Sequence, residues 1–110
     1  MFSQKHRLNS RMVTQTMKKG TRIFTSYFRG TFEYQDTFRV SVVVPKKIIS
    51  KRIGRNREKR RILHSVKHIL DKEYPNYHLI ISLQKDTQLL SSEVLQKELI
   101  LFLEKIKQQN

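Results

Sequence analysis

The densest group of chemically active side chains lies in residues 46–61, which read KKIISKRIGRNREKRR. The arginines carry planar guanidinium groups that suit paired hydrogen bonds to a phosphate, whereas a lysine approaches phosphate as a point charge. Asn56, between two arginines, can both donate and accept hydrogen bonds, as contact with a 2′-hydroxyl or a base edge requires. This composition predicts a surface that binds the backbone of a nucleic acid, and a merely solvated basic face is the weaker alternative.

Two other pairs of residues could act at a metal ion or as acid and base. His64 and His68 share one face of a helix, but Ser-Val-Lys separates them and supplies no glutamate of the zinc-protease kind. Asp71 and Glu73 are two residues apart, a spacing that faces different sides. The 9 acidic residues are scattered, whereas two-metal phosphoryl transfer needs carboxylates that converge. We therefore expect neither a catalytic site nor a metal site in the protein itself.

Positive charge dominates the composition, with 23 lysines and arginines against 9 acidic residues and a formal net charge of +14. Self-repulsion of this size destabilises a compact monomer, so a polyanionic partner would stabilise the fold. Nucleic acid is the favoured partner, ahead of an acidic protein or an anionic membrane surface.

Cysteine is absent, which excludes disulfides and thiolate sites and is typical of a reducing cytoplasm. The first eight residues contain no apolar run, which argues against a secretory signal. The longest apolar runs fall far short of the roughly 20 residues that a membrane helix needs. We expect a cytoplasmic protein with no membrane partner.

The elements that position the basic stretch follow from periodicity and from helix caps. A first helix is predicted over residues 9–19, with Asn9 or Ser10 as its cap. Aromatic and β-branched residues then dominate residues 21–45, which predicts two or three antiparallel strands.

Two further helices and a strand complete the prediction. A long helix over residues 50–73 carries an apolar stripe that should pack on the sheet, formed by Ile62, Val66, Ile69 and Leu70. Residues 77–83 are almost wholly apolar, as in a strand covered on both faces. A last helix over residues 91–108 has its own stripe, formed by Leu95, Leu99, Phe102, Leu103 and Ile106. This order predicts one α+β domain over residues 1–110, with helices packed on a small sheet.

The basic stretch surrounds its helix more completely than an ordinary solvated face would. On a helical wheel five side chains fall opposite the apolar stripe: Arg57, Arg60, Arg61, His64 and His68. Arg55 and Lys59 lie on the same side as the stripe, one to two turns before it. The leading half of the helix is thus basic nearly all round, and we expect it to project past the sheet, where phosphates can approach several sides.

A family resemblance is carried by two segments, Val44-Pro45-Lys46-Lys47 and Ile53-Gly54-Arg55-Asn56-Arg57-Glu58-Lys59-Arg60. They resemble the signature of the bacterial ribonuclease P protein subunit, in which a strand ending in Lys-Lys leads into a helix bearing Arg-Asn-Arg and Lys-Arg. The resemblance extends to the basic start at residues 5–8, to the Lys-Lys-Gly turn at residues 18–20 and to the order of elements over nearly the whole chain.

The resemblance implies a compact αβββαβα domain with a mostly antiparallel sheet and a left-handed crossover through the basic helix, although parallel units are generally right-handed. It implies the accessory protein subunit of the ribonuclease P endoribonuclease, which aids 5′-end maturation of tRNA while the RNA subunit carries the catalysis. Mg²⁺ would be bound mainly by that RNA, and none would be held by the protein alone. The partners would be the ribonuclease P RNA and precursor tRNA, with no DNA.

Two groups of binding residues follow from the resemblance. The basic helix and the loop before it would contact the RNA subunit through Lys46, Lys47, Lys51, Arg52, Arg55, Asn56, Arg57, Lys59, Arg60, Arg61 and His64. A cleft between the first helix and the sheet would hold the single-stranded 5′ leader of precursor tRNA through Val13, Met17, Phe24, Phe28, Phe32 and Arg39.

Two features depart from the family pattern. The loop after the Lys-Lys pair lacks the usual glycine and is one residue longer, which leaves the start of the basic helix open. The first helix has Val13 and Met17 where many relatives present aromatic residues, and base stacking on an aromatic ring contributes roughly 1 to 3 kcal/mol. The sheet residues Phe24, Phe28 and Phe32 would then stack on the leader bases in place of aromatic residues on the first helix. Core packing is nevertheless the commoner role for each of them. A non-catalytic ribosomal-protein-like or RNA-assembly protein is the alternative function.

Overall fold

Four strands form one mixed sheet with helices on both faces in a computed structural model that describes residues 4–109. After a 3-10 turn at Gln4–His6, the elements are α1 (Ser10–Lys19), β1 (Thr21–Phe24), β2 (Phe28–Tyr34), β3 (Arg39–Val43), α2 (Arg52–Leu70), β4 (Tyr77–Leu83) and α3 (Ser92–Lys107). This order confirms the predicted αβββαβα arrangement and the α+β class. The segment for which two or three strands were predicted contains three.

The strands lie in the order β1-β2-β4-β3. β2 pairs antiparallel with both β1 and β4, which confirms a mostly antiparallel sheet. β3 pairs parallel with β4, from Arg39 opposite His78 to Val43 opposite Ser82. Parallel neighbours need a crossover connection, and α2 provides it. The left hand of this crossover stays a prediction.

Strand alternation gives the sheet one apolar face. Phe28, Phe32, Leu79 and Ile81 point to this core face, and each is at most 2% exposed. Both predicted apolar stripes pack against it, and the core includes Ile62 and Val66 of α2 with Leu95, Leu99, Phe102, Leu103 and Ile106 of α3. No helix within residues 4–109 is long and apolar enough to cross a bilayer.

The opposite face of the sheet is mixed in character and is covered only in part. α1 lies across it, in contact with β2 and β4, and Gln15 Nε2 donates to Glu33 Oε1 at 3.4 Å. β4 thus lies between two layers of helices, and all of its residues except Ser82 are buried. This arrangement confirms the prediction of a strand covered on both faces.

Side-chain caps set the starts of α1 and α3. Asn9 Oδ1 accepts a hydrogen bond from the backbone N–H of Met12 at 2.9 Å, and Ser91 Oγ accepts one from Val94 at 3.2 Å. Each bond satisfies one of the backbone N–H groups that a helix leaves without an internal partner. Asn9 is one of the two caps that were predicted for the first helix.

α2 is shorter at both ends than the predicted residues 50–73. Asp71 and Lys72 adopt left-handed φ values of 46° and 71° directly after the helix. The chain therefore leaves the helix well before Pro75, which the sequence analysis did not foresee. At the other end, the N-cap residue Lys51 makes no side-chain cap, so the helix begins without one.

Gly30 lies at the centre of the sheet, directly under the Phe102 ring. A Cβ at this position would lie 2.5 Å from Phe102 Cζ and 2.7 Å from the carbonyl oxygen of Ile80. We expect Gly30→Ala to lower the free energy of unfolding, measured in urea, by roughly 1 to 3 kcal/mol, the usual cost of overpacking a core.

Gly54→Ala in α2 is the matched control. A Cβ there would lie 3.0 Å from Ile49 Cγ2 and 3.1 Å from Gln88 Oε1, which are side-chain atoms that can give way. Alanine is also favoured over glycine within a helix by up to about 1 kcal/mol. The free energy of unfolding should therefore stay unchanged or rise, and equal losses in both variants would contradict the packing of Phe102 on Gly30.

Candidate RNA interface

The predicted RNA-subunit residues cover the leading part of α2 and the loop before it. Eight of them are exposed: Lys46, Lys47, Lys51, Arg52, Asn56, Arg57, Arg60 and His64. Arg55, Lys59 and Arg61 are half-buried. The first turn of α2 contains no acidic residue, so these cations add to the partial positive charge of a helix N-terminus. Anions such as phosphates are therefore attracted to this end of α2.

Arg55 holds the loop before α2 in place. Its Nη1 donates to the carbonyl oxygens of Ile49 at 3.1 Å and of Ser50 at 2.6 Å. The Ile49 side chain is buried in the core, so this contact ties the basic loop to the folded domain. Arg55 thereby fixes the part of the chain that carries Lys46 and Lys47.

Arg61 is directed into the protein and not toward a solvated face. Nη1 donates to the carbonyl oxygen of Leu90 at 2.8 Å, and Nη2 donates to that of Thr87 at 2.7 Å. Nε lies 3.1 Å from Glu58 Oε1, an ion pair within the same helix. Arg61 thus supports the fold by binding the loop between β4 and α3, and its predicted contact with RNA stays a prediction.

Glu58 is a site residue that the sequence analysis missed. It is the one acidic residue of α2, it is 2% exposed, and Oε2 accepts a hydrogen bond from Thr87 Oγ1 at 2.5 Å. The leading half of α2 is therefore not basic all round, and it does not project freely past the sheet. A lone glutamate three residues before Arg61 and four before the buried Ile62 was the signal available in the sequence.

A groove lies between α2 and the outer edge of β3, and we call it the edge groove. It has a volume of about 500 Å³ and is lined by Arg7, Leu8, Val40, Ser41, Val42, Asn56, Lys59, Arg60 and Leu63. The backbone of Arg7 pairs with Val40, and Arg39 Nη1 donates to the Arg7 carbonyl oxygen at 2.9 Å. The groove thus brings three predicted RNA-subunit residues together with the basic start of the chain.

A second groove lies between α1 and the mixed face of the sheet, and we call it the α1 cleft. It has a volume of about 420 Å³ and is lined by Val13, Met17, Arg22, Phe24, Arg29, Gly30, Thr31, Val43, Ile80 and Ser82. Val13, Met17 and Phe24 of the predicted leader site therefore do line one cleft. Arg22 and Arg29 were missed, although strand alternation places Arg22 on the same face as Phe24; Arg29 joins them through the register between β1 and β2.

Phe28 and Phe32 do not line the α1 cleft, so the prediction that they contact the leader is wrong. They are 0% and 2% exposed and point to the core face of the sheet. Phe28 packs edge-on against Phe102 at 6.0 Å between ring centres, and Phe32 lies 5.8 Å from Tyr77. The alternative reading of both residues as core is the correct one.

Arg39 and His78 lie at the polar end of the mixed face, outside the lining of the α1 cleft. Arg39 supports the edge groove through Arg7, and its predicted contact with the leader stays a prediction. Burial, and then the Arg39 guanidinium, lower the pKa of His78, while Glu33 opposes them. On the core face, burial and the nearby Tyr34 raise the pKa of Tyr77 to about 12.

The sequence profile of one protein family, described as Ribonuclease P, matches residues 2–107. The chain belongs to the ribonuclease P protein family. Membership implies a role in tRNA processing and an RNA partner within the ribonuclease P complex. A comparison with curated protein sequences finds no match.

Solved structures of ribonuclease P proteins are similar to this chain in fold at low sequence identity. The Staphylococcus aureus ribonuclease P protein is 20% identical and has a TM-score of 0.81, with 93% of this chain and 95% of that chain covered. The Thermotoga maritima ribonuclease P protein is also 20% identical and has a TM-score of 0.78, with 90% and 96% covered. The likeness establishes the fold, and the family profile establishes membership.

In this ribonuclease P family member, no three His, Asp or Glu side chains within residues 4–109 lie close enough together to hold a metal ion. His64 and His68 are exposed on α2, and the Glu58 carboxylate is taken up by Arg61 and Thr87.

The lowered pKa of His78 makes stability depend on pH. The unfolded chain binds this proton more readily than the folded one, so stability is fullest above the ordinary histidine pKa of about 6.5 and declines as the pH falls below it. We expect the free energy of unfolding, measured in urea, to fall as the pH is lowered from about 7.5 to about 5. This fall should be smaller in His78→Gln than in the wild type. The same decline in both proteins would contradict this role of His78.

Proposed function

We propose that this chain is the protein subunit of ribonuclease P that binds the catalytic RNA through α2 and the edge groove, and holds the 5′ leader of precursor tRNA in the α1 cleft. The observation that carries the proposal is that β3 separates two grooves of different chemistry. Val43 lines the α1 cleft, whereas Ser41 and Val42 line the edge groove. One strand thus stands between a site suited to unpaired bases and a site suited to the phosphates of a folded RNA.

The α1 cleft offers a single-stranded nucleic acid both of the contacts that it needs. Phe24 and Met17 expose 52% and 44% of their surface, which gives bases an aromatic ring and an apolar surface to stack against. Arg22 and Arg29 line the same cleft and supply positive charge for the phosphates. Such contacts read no base edge, so the cleft accepts leaders of varied sequence.

The edge groove and the outward cations of α2 suit a folded RNA. Arg7, Lys59 and Arg60 line the groove and can contact backbone phosphates, and Asn56 can bond a 2′-hydroxyl. Arg57, exposed on the same helix, extends this surface around α2. Each phosphate neutralised makes log K fall by roughly 0.7 to 0.9 per tenfold rise in salt.

The bond-breaking step belongs to the RNA in this proposal. The described residues offer no cluster of carboxylates or histidines for metal-assisted hydrolysis. Mg²⁺ is bound mainly by the RNA, and the protein favours its binding and that of the substrate by neutralising phosphates that repel each other. The complex works in the cytoplasm, without a DNA or membrane partner.

Reconstitution with ribonuclease P RNA tests the proposal. We expect the chain to increase the rate of 5′ processing of precursor tRNA at low magnesium and to cleave nothing when the RNA is left out. Cleavage by the protein alone would contradict the division of labour. Co-purification with ribosomal RNA in place of ribonuclease P RNA would favour the ribosomal-protein-like alternative.

Arg57 is the most direct test of the phosphate contacts, because it is exposed while Arg55 and Arg61 are tied to backbone carbonyls. We expect Arg57→Ala to weaken binding of ribonuclease P RNA and to reduce the salt slope of log K by about 0.7 to 0.9, as the loss of one phosphate contact does. Filter binding over a range of salt concentrations measures both. Lys97→Ala, which removes an exposed cation from α3, should change neither.

Phe24 tests the leader site. We expect Phe24→Ala to weaken binding of precursor tRNA to the reconstituted complex by roughly 1 to 3 kcal/mol, the contribution of one stacked base. Binding of mature tRNA, which has no leader, should stay the same. Leu101→Ala in α3 removes a side chain that is equally exposed at 52% and should affect neither substrate. Equal losses for precursor and mature tRNA would place the leader outside the α1 cleft.

A further inference from the structure

Among the described residues, the two large apolar side chains with the greatest exposure are Leu89, which is fully exposed, and Ile53, at 75%. Ile53 lies in the first turn of α2, and Leu89 lies in the loop between β4 and α3, residues 84–91. Their sequence neighbours meet, because a Cβ on Gly54 would lie 3.1 Å from Gln88 Oε1. Both apolar side chains therefore flank the place where this loop touches the leading end of the basic helix.

The loop of residues 84–91 is held against α2 by buried polar contacts. Thr87 is fully buried and donates from Oγ1 to Glu58, while its carbonyl oxygen accepts from Arg61. The carbonyl oxygen of Leu90 accepts from Arg61 as well. The exposed side chain of Leu89 is therefore presented from a backbone that is fixed on both sides.

Stability alone does not account for Glu58. Burying a carboxylate carries a large desolvation cost, and replacing a buried ion pair by apolar residues of similar size often leaves a fold equally stable or more stable. Glu58 instead determines where the loop packs, because Thr87 and Arg61 must both contact it on one side of the helix. The contact fixes where the loop lies relative to the exposed cations of α2.

We propose that the loop and the first turns of α2 form one RNA-binding surface, the loop–helix surface, which consists of Lys51, Arg52, Ile53, Arg57 and Leu89. Glu58 is its positioning residue. The cations take phosphates of the catalytic RNA, and the two apolar side chains cover an unpaired base or a ribose. This inference rests on the proposed function, since the partner is the same RNA.

The charge around Ile53 and Leu89 favours RNA over a second copy of this chain as the partner that covers these two side chains. Lys51, Arg52 and Arg57 lie within four residues of Ile53 and are all exposed. A second copy of this chain would bring a further net charge of +14 to the same place and would be repelled. A polyanion with exposed bases satisfies the charge and the apolar surface together.

Cross-linking tests the location of the surface. Because the chain contains no cysteine, Leu89→Cys creates a unique attachment point for a photoactivatable cross-linker. In the complex reconstituted with ribonuclease P RNA, irradiation should join position 89 to that RNA. Leu101→Cys on α3 is the matched control and should give only background. Equal yields at the two positions would overturn the proposal.

Affinity measurements separate this surface from the phosphate contacts. Leu89→Ala should weaken binding of ribonuclease P RNA about tenfold, as the loss of a buried leucine contact does, without changing the salt slope, because no charge is removed. If Arg57→Ala weakens binding and Leu89→Ala does not, this inference fails while the proposed function stands. If the wild type does not bind ribonuclease P RNA, the proposed function itself fails. A change of self-association in Leu89→Ala, measured by sedimentation, would assign the surface to a second copy.

Thr87 tests the positioning role of Glu58. Thr87→Val keeps the shape of the side chain and removes the hydroxyl that donates to Glu58, so it should weaken RNA binding, whereas Thr87→Ser should retain it. The double variant Thr87→Val with Leu89→Ala should bind RNA as tightly as whichever single variant has the lower affinity, because both changes act through one loop. The positioning role would be overturned if the losses of binding free energy in the two single variants added up in the double variant. It would also be overturned if the weaker RNA binding of Thr87→Val were explained entirely by its lower stability in urea.

Discussion

An excess of cations over carboxylates constrains every part of this structure. With 23 lysines and arginines and 9 acidic residues, most cations cannot find a carboxylate. The arginines that hold the fold use main-chain carbonyl oxygens: Arg39 bonds Arg7, Arg55 bonds Ile49 and Ser50, and Arg61 bonds Thr87 and Leu90. A carbonyl satisfies an N–H group without neutralising the charge. These cations therefore support the fold around its apolar core, and most of their positive charge remains available to a partner.

The elements with strong local signals are those that the sequence predicts well. Residues 77–83 form β4 as predicted, because a short and almost wholly apolar run is typical of a strand covered on both faces. The caps at Asn9 and Ser91 are likewise local, since the bonded groups lie three residues apart. The end of α2 was misplaced because the chain turned at two left-handed residues of ordinary type, Asp71 and Lys72, for which the sequence gives no clear signal.

The site was harder to predict, because its deciding contacts join distant residues. Arg61 donates to carbonyl oxygens 26 and 29 residues away in the sequence. A helical wheel shows only residues of the same helix, so it cannot reveal such partners. Two of the predicted leader residues were misplaced for a different reason. Phe28 and Phe32 alternate with the polar Arg29, Thr31 and Glu33, so the two faces of β2 could have been told apart from the sequence. That Phe24 belongs with Arg29 depended on the register between β1 and β2.

β3 acts as a thin partition between two grooves, and this has an electrostatic consequence. Neighbouring strands stand about 5 Å apart, which is less than the screening length of about 8 Å at physiological ionic strength. Phosphate chains on either side of such a partition would sense each other through a medium of low dielectric. Arg22 on β1 and Arg29 on β2 lie three and two strands away from β3, so they screen mainly the chain in the α1 cleft, whereas Lys59 and Arg60 screen mainly the chain in the edge groove. Filling one groove would change the affinity of the other by the same factor in either direction, so the strand would set the sign and strength of cooperation between two nucleic acids.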